Sequence, residues 1–278
     1  ELVTGVQTCA LPILNRLIKP FILRRYKKDV IKELPDKIEN RLIVPLDDEQ
    51  LKVYSTYVKY IQDIIEKKVQ DDELSKSKIE ILSYITKLRQ ICLDPSIVMD
   101  DYKGGSGKID ALLETVVQSI DEGHKILVFS QFTSVLSNIS KVFKENEVSH
   151  YYLDGSTPIK TRNKIVEDFN KDDTSVFLIS LKAGGTGLNL TSADIVIHFD
   201  PWWNPAVEDQ ATDRAHRIGQ KHVVEVIKMI SEGTIEEKII SLQEEKKNLI
   251  DKVVGKDIEL GENISNLDDE DILALFKR

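Results

Sequence analysis

Cysteine is nearly missing from this chain, with two among 278 residues, Cys9 and Cys92. That count argues against a secreted, disulfide-stapled fold and fits a reducing, cytoplasmic setting. Histidine is scarce as well, five in all, and His216 has no second His or Cys at ligand spacing, so no metal site is expected. No apolar run is long enough to span a bilayer, no leader pattern precedes the first helix, and no repeat or low-complexity tract occurs, so no membrane partner is expected. A phosphate loop is also missing. GGSGKI (104–109) invites that reading, but the pattern needs glycine where Tyr102 stands and Ser or Thr where Ile109 stands, and no strand precedes it. Asp48-Glu49 after LIVPL (42–46) invites a strand-end carboxylate reading, but Pro45 disfavours a central strand and an acid at a helix start explains the pair. Basic excess is missing too. The net charge is −9, which taken alone argues against a nucleic-acid protein. The charge is uneven, however. From residue 15 to 41, Arg16, Lys19, Arg24, Arg25, Lys27, Lys28, Lys32, Lys37 and Arg41 outnumber the acids, whereas the tail after Ser231 is strongly acidic. Phosphates are met by local patches, so the total charge does not exclude them.

What is present is a regular alternation. The length suits one large domain or two small ones with a sizeable core. Helical spacing of Leu51, Tyr54, Val58, Ile61 and Ile65 predicts a first long helix, and a second covers 78–92, ending before Asp94-Pro95. After Gly104 the chain alternates. Helix 108–121, N-capped by Ser106, leads to strand 125–130, helix 133–145, strand 149–153, helix 160–170 and strand 176–180. Strand 194–199, helix 206–216 and strand 223–230 follow. Apolar runs such as 125–129 and 195–199 read as buried strands. Strands alternating with helices imply an α/β fold, a doubly wound parallel sheet with right-handed crossovers. A long amphipathic helix from Thr234 and a short one in DDEDILALF close the chain.

The most informative stretch is QATDRAHRIGQ (210–220). Arg214 and Arg217 are three apart, which predicts one helical face. Arginine stays protonated and presents a forked donor array that matches phosphate oxygens. Two such forks suit charge developing on a transferred phosphoryl group. The same spacing also fits a solvated, salt-bridged helix face.

DGSTPIKTR (154–162), AGGTGLNLT (183–191), IVIHFDPWWNP (195–205) and RAHRIGQ occur in one order and at one spacing. Together they resemble the second motor lobe of superfamily-two helicases, and the DPWWNP and RAHRIGQ forms resemble its Swi/Snf-type branch, ATPases that translocate on double-stranded DNA. The resemblance runs from about Leu14 to the C-terminus, through IKPFILRRYKKDVIKELPDKIE (18–39), similar to the family's segment between its two lobes. It implies a RecA-like lobe over 104–231, a linker and helical protrusion over 14–103, and a brace helix and acidic tail over 232–278. GVQTCALPI (5–13) matches the translation of a sequencing-library adapter, so residues 1–13 are expected to be an artefact and the chain a fragment of a bacterial protein that lacks its first lobe.

The resemblance also implies roles. Gln210, Arg214 and Arg217 face ATP held by the missing lobe, with Arg217 first for the γ-phosphate and Arg214 second. Asn189 meets the ribose or relays closure, and Gly187, with Gly184 and Gly185, allows close approach of backbone to phosphate. On their own those glycines also read as a plain turn. Mg²⁺ is expected on the missing lobe. A DNA-facing set follows the strand ends: Gln131, Gly155, Ser156, Thr157, Arg162, Lys182 and Thr186, with Trp203 and Asn204 in the WWNP loop. Arg162 fits a brace on its own helix equally well, and Trp202 and Trp203 fit a core or interface. The implied partners are double-stranded DNA, the protein's own first lobe and RNA polymerase or another DNA-bound complex, in the cytoplasm or nucleoid. Two other readings fit: a non-catalytic nucleic-acid or polymerase docking module, and a strand-separating helicase, which the DPWWNP form disfavours.

Overall fold

Strands with no polar face form the centre of the molecule. The computed structural model describes residues 34–184, 187–253 and 269–276. β2 (Ile126–Ser130), β4 (Val176–Ser180) and β5 (Ile195–His198) are buried along their whole length. A strand covered on both faces gains by being apolar throughout, which is what ILVFS, VFLIS and IVIH supply. β3 (His150–Leu153) and β6 (Val224–Ser231) extend this centre, and β1 (Lys37–Val44) completes a six-stranded sheet in the order β1-β6-β5-β2-β4-β3. Every pairing is parallel. The expected α/β doubly wound architecture is therefore present.

Helices cover both faces. On one face α3 (Gly107–Asp121) and α4 (Thr133–Glu145) pack Leu112, Val116, Leu136, Ile139 and Phe143 on Val128, Leu178 and Ile197. On the other, α5 (Ile159–Lys171), the one-turn α6 (Leu181–Gly184) and α7 (Pro205–Thr212) meet Leu127, Phe129, Phe177 and Val196. A third core lies off the sheet. There α1 (Asp48–Gln70) and α2 (Lys78–Leu93) pack Ile61, Ile81, Ile85 and Ile91 against Ile239 of α8 (Ile235–Val253) and Ile272 of α9 (Asp269–Phe276). The helical protrusion and the closing helices thus share one apolar interior.

Local chemistry sets the boundaries. Asp47 caps α1, its Oδ1 accepting from Glu49 N at 3.0 Å while Gln50 Oε1 accepts from Asp47 N at 3.3 Å. Asp48 and Glu49 are first-turn acids, which suits the positive end of the helix. Ser106 caps α3 as expected, accepting from Ile109 N at 3.2 Å. Two differences matter. Residues 37–44, grouped with the linker from sequence although LIVPL (42–46) reads there as a short extended piece that Pro45 confines to an edge or an end, join the sheet as its edge strand and stop at Val44, before Pro45. The helix expected over 206–216 ends at Thr212, so Arg214 and Arg217 do not share a helical face. Bonds such as Arg214 N to Ala211 O (3.1 Å) and Gln220 N to Arg217 O (3.0 Å) turn the chain toward Gly219, whose φ of +104° needs a residue without a Cβ. Residues 1–33, 185–186, 254–268 and 277–278 lie outside the described residues, and with them the 5–13 segment, Arg24-Arg25, Gly185 and Thr186.

Lys108, from the sequence that mimicked a phosphate loop, points inward and is 1% exposed. Its ammonium donates to Phe199 O (2.8 Å), Met229 O (2.9 Å) and Glu236 Oε2 (2.6 Å). Three protons meet three acceptors, so α3, the chain leaving β5, β6 and the start of α8 are tied to one atom. Removing the cation leaves a buried carboxylate without its counter-ion. Lys108→Met should destabilise the fold by roughly 3–5 kcal/mol, read as a lower urea midpoint at unchanged slope. Lys108→Met with Glu236→Gln should recover part of that loss. A single substitution within about 1 kcal/mol of wild type would contradict the pairing.

Burial also holds His198 neutral, its Nε2 2.9 Å from Thr212 Oγ1 and its ring pushed down to about 3. The unfolded chain takes up this proton near the ordinary value of 6.5, whereas the fold resists it to about 3. Between those values the unfolded state binds more protons, so stability present above pH 6.5 is lost as pH falls. His198→Gln should flatten this acid limb, and unfolding curves that run parallel to wild type from pH 6.5 to about 4 would refute the assignment.

Candidate functional site

Parallel strands all deliver their C-terminal ends to one edge, and there the loops after β2 and β5 meet on a buried carboxylate. Asp200 is fully buried. It accepts from Ser130 Oγ (2.5 Å), Gln131 N (3.2 Å) and Gln131 Nε2 (2.5 Å). Burial pushes its carboxyl above the usual carboxylate range, and the Arg89 guanidinium and Ser130 hydroxyl oppose that. Arg89 reaches in from α2, 2% exposed, with Nη2 3.6 Å from Asp200 Oδ2 and donating to Pro201 O. Its guanidinium lies 5.7 Å from the ring centroids of Phe132 and Trp203. Gln131, assigned to the DNA-facing set, thus has its backbone N–H and one side-chain N–H on Asp200.

The turn after β3 is closed from within. Asp154 Oδ1 accepts from Ser156 N (2.9 Å), Ser156 Oγ (2.6 Å) and Thr157 Oγ1 (3.4 Å). The Ser156 hydroxyl bond, with its backbone amide, holds the Asp154 carboxyl below its ordinary value. Arg162 donates through Nε to Thr157 O (2.7 Å) and through Nη2 to Gly155 O (3.1 Å) and Asp154 O (3.3 Å). The arginine braces this turn rather than its own helix, while Gly155 and Ser156 remain exposed at its tip. Lys182, exposed on α6, stands after β4.

The glycine-rich segment and the arginine segment come together. Leu190 N donates to Arg214 O at 3.0 Å, and Arg217 Nη1 lies 3.4 Å from Leu188 O. Among the described residues Leu188 O is the one partner of the Arg217 guanidinium, which is half-buried. Gly187 adopts φ +61° with no atom within 4 Å of where a Cβ would stand. Asn189 is exposed, its carbonyl accepting from Asn170 Nδ2 at 2.8 Å, and Gln210 is exposed on α7. Gln220, the last residue of the segment, is buried and closes the turn through Ala193 O at 2.7 Å. His216 Nε2 meets Pro35 O at 2.8 Å.

The WWNP loop faces inward more than outward. Trp202 packs on the sheet core, its backbone N–H donating to Glu208 Oε1 at 2.6 Å. Trp203 packs on the helical core beneath Arg89. Asn204 caps α7, Oδ1 accepting from Ala206 N at 2.9 Å. Sequence reasoning missed the buried charges, Arg89, Asp94, Lys108, Asp200, Glu208 and Glu236 among them. One had a signal, since Arg89 continues the buried helical row Ile81, Ile85, Leu88 and Cys92.

Known proteins share this arrangement. The helicase conserved C-terminal domain matches residues 107–219, and the SNF2-related domain matches residues 7–97. An uncharacterised ATP-dependent helicase of Mycoplasma pneumoniae is 42% identical over 267 residues, 95% of this chain and 25% of that protein. A putative ATP-dependent helicase/translocase of Bacillus subtilis, YwqA, is 40% identical over 250 residues, 87% of this chain and 27% of that protein. The chain therefore spans about a quarter of the length of the relatives it matches. Among solved structures, the Sulfolobus solfataricus SWI2/SNF2 ATPase core in complex with dsDNA aligns with a TM-score of 0.68 at 36% identity, over 95% of this chain and 55% of that one. The C-terminal domain of the Sulfolobus ATPase aligns with a TM-score of 0.66 at 32% identity, over 86% of this chain and 98% of that one. With its sheet, its motif order and nearly the whole of that domain in common, the chain belongs to the SWI2/SNF2 family of helicase superfamily two.

Proposed function

We propose that the full-length protein is an ATP-driven translocase on double-stranded DNA and that this chain is its second motor lobe. The observation that carries the reading is the contact of Leu188–Leu190 with Arg214–Arg217, which sets a forked cation beside a glycine turn. Bound ATP supplies the γ-phosphoryl group that passes to water. Arg217, with a single long contact to Leu188 O, has donors suited to the oxygens of that group. Arg214 adds a second guanidinium, and Gln210 and Asn189 flank the pair with exposed amides. Among the described residues no group of three His, Cys, Asp or Glu side chains could hold a metal ion. By the family resemblance, and not from that absence, Mg²⁺ is assigned to the first lobe.

The proposed DNA contacts are Gly155, Ser156, Thr157 and Lys182, small or cationic groups at the ends of β3 and β4 that would position a phosphate backbone without reading sequence. Arg162 supports them by holding the turn. Thr186, outside the described residues, belongs to the same set. Gln131 would reach a phosphate as a donor chiefly through its second N–H, and Trp203 and Asn204 contribute through loop shape. The Sulfolobus ATPase core is known in complex with dsDNA, and family membership extends that ligand, as a proposal, to this protein. A cytoplasmic or nucleoid location follows from such a substrate.

In the full-length protein, Arg217→Ala should lower ATP turnover by roughly 10³-fold or more while DNA affinity, followed by fluorescence anisotropy, stays within about threefold. Lost DNA affinity with turnover intact would overturn the role. Wild-type protein that binds DNA yet hydrolyses no ATP would instead favour the docking-module reading. Lys182→Ala should weaken DNA binding alike on all sequences and reduce the slope of log K against log salt by about one. An unchanged slope would remove Lys182 from the interface.

A further inference from the structure

Arg89 belongs to neither the glycine segment nor the arginine segment, and it links the off-sheet helices to the strand-end loops, as Gln243 of α8 does by donating to Trp202 O. Its guanidinium is almost fully buried, although α2 lies in the helical core. It touches both loops at the sheet's edge, through Phe132 after β2 and through Asp200, Pro201 and Trp203 after β5. Asp200 in turn fixes Ser130 and Gln131. The loops are thus ordered around a carboxylate whose cation comes from another layer.

Trp203 adds an independent observation. Its indole N–H is buried with no hydrogen-bond partner among the described residues. A buried donor left unmet opposes the position it occupies. Packing on the helical core and the guanidinium against the ring keep Trp203 there.

We infer that Arg89 is a positioning residue through which helices α1 and α2 set the conformation of the 131–132 and 200–204 loops for nucleic-acid engagement. The inference rests on the proposed DNA-driven activity. Neutralising Arg89 leaves Asp200 as a buried charge without its cation. The loops then relax toward water, carrying Gln131 and Trp203 with them, while Arg214 and Arg217 keep their own contacts with 188–190. Arg89 therefore governs the response to DNA and not the phosphoryl chemistry.

The test uses full-length protein with Trp202→Phe as background, so that Trp203 reports alone among the two tryptophans of this segment; any tryptophan elsewhere in the protein is replaced as well. Arg89→Met should raise acrylamide quenching of Trp203 without DNA. It should also raise the duplex concentration that half-saturates ATP turnover by roughly tenfold, with turnover at saturating DNA within about twofold. Arg89→Lys, which keeps the charge and loses the fork, should give a smaller shift of the same sign. Arg89→Met with Asp200→Asn should recover part of the DNA response, because the stranded charge is gone. A folded Arg89→Met protein with unchanged quenching, or with unchanged half-saturation, overturns the inference. A purely structural role would lower the melting temperature and leave half-saturation where it was. If Arg89→Met does not fold, Arg89→Lys decides by the same two readouts. Turnover of the unsubstituted protein that ignores DNA would mark failure of the translocase reading itself, visible before any Arg89 variant is made.

Discussion

A cation carried into the interior must meet an anion there, and this molecule does so twice along one edge of its sheet. Lys108–Glu236 and Arg89–Asp200 are both almost fully removed from water. Each is costly to desolvate, and further hydrogen bonds offset part of that cost, to Phe199 O and Met229 O from Lys108 and from Ser130 and Gln131 to Asp200, while Arg89 Nε and Glu236 Oε1 stay buried without a partner among the described residues. The consequence is geometric. Lys108 accepts no arrangement in which β5, β6 and α8 drift apart. Arg89 likewise accepts none in which α2 leaves the loops after β2 and β5. Apolar packing of the three cores provides the bulk of the stability, but it is non-directional. The ion pairs fix which ends meet.

The direction of the strands then determines where chemistry can occur. With all six strands parallel, their C-terminal ends emerge together, and the loops there are free to vary without disturbing the sheet. The same edge holds the Asp154 turn, the Asp200 hub and Lys182, while the chain from Gly187 to Leu190 returns past Arg214 and Arg217. One surface of the fold thus carries both sets of residues proposed for ligands, and the buried charges beneath it link those loops to one another.

Most of the sheet was legible in the sequence because fully buried parallel strands are apolar on both faces. ILVFS, VFLIS and IVIH leave no ambiguity of face, and their ends were placed to within a residue or two. Helix starts were legible where a cap was present, as at Ser106. The edge strand 37–44 was less so, since most of its residues face water and no apolar period marks them. The stop at Thr212 was hidden because nothing between Thr212 and Gly219 breaks a helix on its own. The end follows from long-range bonds of Gln220 to Ala193 and of Leu190 to Arg214. At the site, the motifs identified which segments meet, but not which side chains are engaged internally. Gln131, Arg162 and Asn204 read as surface contacts, yet each satisfies a nearby group of the chain itself. Only Gln131 has a partner distant in sequence, Asp200; Asn204 caps its own helix through Ala206 N and Arg162 holds the turn just before its helix.

The edge strand has a consequence for how the chain comes to its final shape. β1 is made before the other described strands of its sheet, yet its one partner there is β6, with Lys37 beside Val224 and Val44 beside Ser231. At the usual pace of a ribosome, roughly 10–40 s separate the appearance of the two strands. Throughout that interval β1, with Ile38 and Ile43 on its surface, has no neighbour in the sheet, and β2 to β5 are all made only near its end. The first strand described thus gains its one neighbour only after β6 is made, a long-range pairing, and its other side remains the rim of the finished sheet.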